Sequence, residues 1–201
     1  MGSDFMKKKV VGLLGGTFDP IHFGHINLAI QMMEACDLDE VLFCPANVAP
    51  HKIDRLPIAS AAHRMAMTDL AIADIEGFVP TGMEVARGGV SYTIDTIRLL
   101  LADHYDTEYK LIIAEDSMHS FFSWKEAAEI LRLLPVLVGR RAGAPYDTAD
   151  PRFVFVKTDA LEISGCKIRE RLKKGLYCGH LMPAKVLDYI YRHHLYYYHE
   201  L

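Results

Sequence analysis

Two histidines, His22 and His25, follow a glycine pair in the run Gly-Gly-Thr-Phe-Asp-Pro-Ile-His-Phe-Gly-His over residues 15–25. These residue types suit the handling of a polyanion. Gly15 and Gly16 let main-chain N–H groups approach a phosphate closely, Thr17 adds a hydroxyl donor, and imidazoles spaced i, i+3 at a helix entrance share one face. A helix starting near Gly24 would point its positive end at the same place. The run is neither of the two common phosphate loops, because it lacks the Lys-Ser/Thr of a Walker loop and the spacing of a GxGxxG turn. Each part alone is weak: a Gly-Gly pair is usually just a turn, and a histidine pair at this spacing is more often one cap and one packing residue. The whole string, placed directly after a strand, is far more specific.

A second group lies in Ile-Ser-Gly-Cys-Lys-Ile-Arg-Glu-Arg-Leu, residues 163–172. Ser164 and the amides of a helix start suit a phosphate, and Arg169 would add a charged donor. Standing alone, this segment reads equally well as a helix cap followed by a solvated arginine face.

These groups must be positioned by the elements around them. Val10–Leu14 is a short aliphatic run stopped by Gly15-Gly16 and reads as a buried strand. Apolar residues then recur at helical spacing from Ile26 to Cys36. Val41–Cys44 predicts a second strand stopped by Pro45, and Ser60 predicts the cap of a helix over Ala61–Ala73. Further on, strands are expected at Phe78–Val85, Lys110–Ala114, Val136–Val138 and Phe153–Val156. Helices are expected at Thr93–His104, Trp124–Leu133 and Cys166–Lys173, with a last one opened by Pro183. Strands alternating with helices along the chain are the signature of a parallel sheet covered on both faces. The expectation is one doubly wound α/β domain over residues 6–201, with residues 164–201 as a small C-terminal helical portion. Residues 1–5 are read as an extraneous leader before Met6.

The chain has 201 residues, is 51% hydrophobic and carries a formal net charge of −4. That composition can bury a full core, but its field does not attract a polyanion, so any such ligand must be held by local donors. No basic run beyond Lys7–Lys9 suggests a nucleic-acid partner. Cys36, Cys44, Cys166 and Cys178 form no CxxC pair, which fits reduced thiols in a cytoplasmic protein and gives no zinc spacing. No stretch approaches the roughly 20 apolar residues of a membrane span. The tail Arg-His-His-Leu-Tyr-Tyr-Tyr-His over residues 192–199 reads as the end of an amphipathic helix, with its aromatics packed or placed in a contact between copies, and not as a metal cluster.

The run at residues 15–25 resembles the (T/S)xxHxGH signature of the HIGH-type nucleotidyltransferase superfamily, and its full spelling is most similar to bacterial nicotinate-nucleotide adenylyltransferases. The resemblance spans roughly Val10 to Tyr191. It implies a Rossmann-like nucleotidyltransferase fold, and transfer of the adenylyl group of ATP to nicotinate mononucleotide with release of pyrophosphate. Mg²⁺ would accompany ATP. His22 and His25 would contact the ATP phosphates, with Arg169 and Lys52 as further phosphate donors. Gly15, Gly16, Thr17, Phe18, Asp116, Ser164 and Ile168 would lie on the ATP side. Tyr92, Thr93 and Trp124, the one tryptophan of the chain, would meet the mononucleotide, through main-chain groups near Tyr92 and Thr93 and by stacking of the indole. Small-molecule substrates are implied, with neither nucleic acid nor membrane as partner. The chain departs from the family pattern at Gly165 and Cys166, where two hydroxyl residues are usual, and at Ala114, where glycine is usual. Another HIGH-type nucleotidyltransferase, such as a phosphopantetheine adenylyltransferase or a cytidylyltransferase, shares the first signature, and a non-catalytic nucleotide-binding protein is the rival favoured by Gly165 and Cys166.

Overall fold

The side chains of Val11, Leu13, Leu111, Ile113, Val136 and Val138 enter one core, while those of Leu14, Ile112 and Leu137 enter another. That alternation is the period of two of a β-strand, with both faces of the sheet buried. The computed structural model describes residues 8–50, 56–103, 106–140 and 150–197. Six strands form one sheet: β1 (Lys9–Gly16), β2 (Glu40–Pro45), β3 (Phe78–Pro80), β4 (Thr107–Ala114), β5 (Val136–Arg140) and β6 (Phe153–Lys157). Their order is β3-β2-β1-β4-β5-β6, and every pairing is parallel.

The helices are α1 (Phe23–Ala35), α2 (Ala61–Ile72), α3 (Met83–Arg87), α4 (Thr93–Asp103), α5 (Glu115–Met118), α6 (Ala127–Leu133), α7 (Gly165–Lys173) and α8 (Ala184–Arg192). Residues of α1, α2, α7 and α8 pack into the core that holds Leu14 and Phe43, and those of α4 and α6 into the core that holds Leu13 and Phe121. The α/β reading and the alternation of elements are borne out. Among the described residues no helix is long and apolar enough to cross a membrane.

Three elements differ from expectation. The strand expected over Phe78–Val85 ends at Pro80, at the edge of the sheet, where proline is tolerated because an N–H at that position would face away from the neighbouring strand. Thr81 makes a last bond to the Phe43 carbonyl, and the chain turns at Gly82 into α3. The helix expected from Trp124 begins only at Ala127. A 3₁₀ turn at Phe121–Ser123 precedes it, Trp124 is extended, and Glu126 sits at φ +53°, a left-handed conformation that interrupts a helix. At Ser164 the N-cap position is as expected, but the side chain makes no capping bond. Ser60 does cap α2, accepting from the His63 N–H at 3.3 Å.

One buried cation joins the loops at the carboxyl edge of the sheet. Arg64, on the inner face of α2, is only 1% exposed. Its guanidinium donates to the carbonyls of Thr17 (2.7 Å), Ala46 (2.5 Å), Asn47 (2.9 Å) and Ala59 (3.2 Å). Burial pulls its pKa below the ordinary arginine value, and Asp19 and Tyr196 oppose that pull. Replacing Arg64 by Met would leave those four carbonyls without their donor. The expected cost is about 3 kcal/mol, and thermal denaturation should show Tm lowered by roughly 10 °C for a chain of this size.

Candidate active site

The loops leaving β1 and β4 diverge, because β1 pairs with β2 on one side and β4 on the other. In open parallel sheets a crevice opens at such a switch point, beyond the carboxyl ends of the strands. Here it holds a cavity of about 300 Å³ lined by His22, Gly24 and His25 of the first loop and α1, by Ala114, Glu115 and Asp116 after β4, and by Ile163 and Ser164 before α7. Its far wall, through Thr158 and Ala160, is tied to α1: Asn27 and Gln31 donate to the Asp159 carbonyl at 2.7 and 3.3 Å, and the Asp159 N–H returns a bond to Gln31 at 2.7 Å.

The first loop folds back tightly to present its histidines. A Cβ at Gly16 would lie 2.6 Å from the Phe18 ring, so only glycine lets that ring turn inward. Phe18 holds φ +49°, an uncommon value for a side chain of this size. Its buried ring meets the edge of His25 with centroids 4.9 Å apart. The Asp19-Pro20 bond is cis, and the chain reaches His22 at the N-cap of α1. The His22 and His25 rings stack with centroids 3.8 Å apart. The His22 N–H donates to His25 Nδ1 at 3.3 Å, which puts the proton of a neutral His25 on Nε2.

His22 is 6% exposed, and its Nδ1 is buried with no hydrogen-bond partner. Burial depresses its pKa to about 4, with a small opposing contribution from its main-chain bond. The ring is therefore neutral at neutral pH, and its buried nitrogen has an unmet bond beside the cavity. A polar atom in that condition calls for an explanation, and a ligand group is one.

Arg169 reaches the first loop from α7. Its Nη1 donates to the Asp19 carbonyl at 2.6 Å and stands 3.8 Å from the Asp19 carboxylate. Gly165 leaves room for this bond: a Cβ there would lie 3.3 Å from both Arg169 Nη1 and the Asp19 carbonyl oxygen, a tight contact. Cys166 is exposed, its thiol 3.7 Å from Glu170.

The structure thus gathers His22, His25, Asp116 and Ser164 around one cavity, with Arg169 beside them through Asp19. Gly15 and Gly16 close β1, which runs through the glycine pair expected to stop it, and Thr17 and Phe18 begin the turn that carries the histidines. Ile168 differs from its expected place at the nucleotide: its side chain is wholly buried in the core beneath α7, since it lies on the inner face of an amphipathic helix, and no side-chain contact with a ligand is open to it. Lys52 lies outside the described residues.

Tyr92, Thr93 and Trp124 stand apart from that cavity, by α4 and the turn before α6. Tyr92 and Trp124 both pack at the margin of the second core, and Lys125 lies 4.6 Å above the Tyr92 ring while bonding Asp95. The loop after β2 is stitched to this region: Asn47 donates to the Gly89 carbonyl, and its own N–H is received by Ser91 Oγ, both at 2.9 Å.

Sequence reasoning missed Arg64 and Asp19. A signal existed for Arg64, which shares a helical face with Met67, Thr68 and Ala71, all buried. Asp19 was hidden inside the signature itself. No signal marked its partners, the main-chain N–H groups of Ile58 and Ala59 (3.0 and 3.1 Å).

Comparison with known proteins gives a consistent result. The family described as cytidylyltransferase-like matches residues 13–171. A protein of Salinibacter ruber named "probable nicotinate-nucleotide adenylyltransferase" is 39% identical, over 92% of this chain and 97% of its own. A protein of the same name from Halalkalibacterium halodurans is 40% identical, over 94% and 91%. Among solved structures, Plasmodium falciparum nicotinic acid mononucleotide adenylyltransferase complexed with NaAD superposes with TM-score 0.79 at 19% identity, covering 94% of this chain and 97% of that one.

The His22 shift has a measurable consequence. A histidine whose folded pKa lies below its unfolded value of 6.5 contributes stability that is fully present above pH 6.5 and is lost as pH falls toward 4. By pH 5 the loss should be about 2 kcal/mol. In denaturant titrations of the ligand-free protein, His22→Gln should therefore lose about 2 kcal/mol less than the unaltered protein between pH 7 and pH 5.

Proposed function

The chain belongs to the cytidylyltransferase-like family and, within it, to the nicotinate-nucleotide adenylyltransferases, and from that premise we propose that it transfers the adenylyl group of ATP to nicotinate mononucleotide, giving nicotinate adenine dinucleotide and pyrophosphate in NAD synthesis. The observation that carries the reading is the stacked pair His22 and His25 at the start of α1, with the buried Nδ1 of His22 unmet beside the cavity at the β1–β4 switch point.

A 5′-phosphate oxygen of the mononucleotide attacks the α-phosphorus of ATP in line. A P–O bond forms there, the bond from the α-phosphorus to the bridging oxygen breaks, and its electron pair leaves on pyrophosphate. The attacking phosphate is anionic at neutral pH, so no general base is required, and catalysis is positioning together with charge stabilisation on the leaving group. His25 donates from Nε2 to a phosphate oxygen. His22 turns its buried imidazole to the same polyphosphate, whose charge favours a proton on the ring. Arg169 supplies a permanent cation and Lys52 a second one. The amides at the start of α7, with Ser164, receive phosphate oxygens, and Asp116 accepts from a ribose hydroxyl.

Magnesium, when bound, neutralises charge across the phosphate oxygens. It would arrive with ATP as part of the substrate.

The mononucleotide lies toward Tyr92, Thr93 and Trp124. The indole stacks on the pyridine ring, and the amides that open α4 at Thr93 receive its carboxylate. The proposed catalytic unit is residues 6–201, working in the cytoplasm, where the free thiols of Cys36, Cys44, Cys166 and Cys178 stay reduced.

Pyrophosphate release from MgATP, measured with nicotinate mononucleotide, nicotinamide mononucleotide or phosphopantetheine as acceptor, tests the reading. Fast turnover with the first, much slower with the second and none with the third is expected. Preference for phosphopantetheine would move the protein to another branch of the superfamily, and ATP binding without turnover on any acceptor would make it a nucleotide-binding protein. In the same assay His22→Ala should lower kcat by about 10²–10³-fold, the effect of removing one preorganised donor from a developing anion, with KM for the mononucleotide little changed.

A further inference from the structure

Asp19 is a buried carboxylate, 8% exposed, that the mechanism above does not use. Two distant parts of the chain donate to its oxygens. Oδ2 accepts from the Ile58 N–H at 3.0 Å, and Oδ1 from the Ala59 N–H at 3.1 Å and from the Tyr196 hydroxyl at 2.7 Å. The cations that face it are Arg169, 3.8 Å away, and Arg64. Arg169 donates not to this carboxylate but to the carbonyl of the same residue, at 2.6 Å.

Tyr196 comes from the C-terminal segment after α8. It is 4% exposed, sits at φ +69°, and its ring packs in the core that also holds Ile168 and Leu172 of α7. Burial and the adjacent Asp19 push the phenol well above its ordinary pKa, so the hydroxyl keeps its proton and donates. A phenylalanine would fill the same space. The oxygen therefore adds something beyond packing: a hydrogen bond to a carboxylate in the loop that carries His22.

We propose that Tyr196 is a positioning residue for phosphate binding: its hydroxyl, with the Ile58 and Ala59 amides, occupies the Asp19 carboxylate, so that Arg169 is held by a neutral carbonyl and keeps its charge for the nucleotide. A carboxylate already accepting three strong donors is a poorer competitor for a guanidinium. Without the phenolic proton, Oδ1 loses its shortest bond, the carboxylate swings toward Arg169 less than 4 Å away, and a closed ion pair ties up the cation. The C-terminal tail thus sets the availability of a charge presented by α7. This rests on the reading of Arg169 as a phosphate donor.

The test is calorimetric binding of MgATP to the full chain and to Tyr196→Phe, Arg169→Ala and the double variant, each well below its own Tm. Tyr196→Phe keeps the ring, so the fold is retained. It should raise the Kd for MgATP about tenfold, the effect of one charge-assisted hydrogen bond, and lower kcat without changing KM for the mononucleotide. In the Arg169→Ala background the same change should leave Kd where Arg169→Ala alone puts it. A merely structural tyrosine would lower Tm and leave Kd and kcat as they were, which overturns the proposal. So does an equal rise in Kd in both backgrounds, because Arg169 would then not be the intermediary. Binding is read without turnover, so an unaltered protein that binds MgATP but transfers no adenylyl group defeats the functional reading alone, and unchanged binding in Tyr196→Phe defeats this one alone.

Discussion

Parallel strands cannot be joined by tight turns, and that constraint places everything else in this molecule. Each strand must be followed by a crossover that returns the chain to the opposite end of the sheet. The carboxyl edge therefore collects the loops in which chain geometry is free, while the strands beneath are fixed by the alternation of Val11, Leu13 and Leu111 against Leu14 and Ile112. Because β1 sends its crossover to one side and receives β4 on the other, the loops there part and leave room for a ligand. The histidines, the acidic turn after β4 and the start of α7 are far apart in sequence and meet because they share that edge.

The electrostatics of the site follow from burial more than from net charge. The chain is acidic overall, at −4, and its buried charges are wrapped in main-chain dipoles: Arg64 by four carbonyl oxygens, Asp19 by two amides and a phenol. These bonds offset the cost of desolvating each ion and lock three loops to one another. His22, deprived of water and of a partner for Nδ1, is held neutral. An incoming polyphosphate meets local donors that are already oriented.

Much of this was legible in the residues and some was not. The strand–helix alternation could be read because apolar periodicity is local, and the phosphate loop because its spelling is dense. The extent of β3 misled, since Phe78–Val85 is apolar enough for a strand, and the chain instead turns at Gly82 into α3. The start of α6 misled because Glu126 adopts a left-handed backbone that its type does not advertise. Of the site, His22, His25 and Arg169 could be named individually. Their dependence on Asp19 could not, because its donors come from main-chain amides and from a tyrosine 177 positions away. For Ile168 the motif position could be read but not the helix face, which buries its side chain in the core.

The glycine at 165 has a bearing on how such a sequence can change. A side chain there would compete for the space now filled by Arg169 Nη1 and the Asp19 carbonyl, each 3.3 Å from where its Cβ would stand. A side chain at 165 and the bond from Arg169 to the loop therefore share one tight space. Restoring serine at 165 in this background would press on that bond before its hydroxyl could reach a phosphate, so the value of the substitution depends on what the loop does first. Such epistasis makes the order of mutational steps matter.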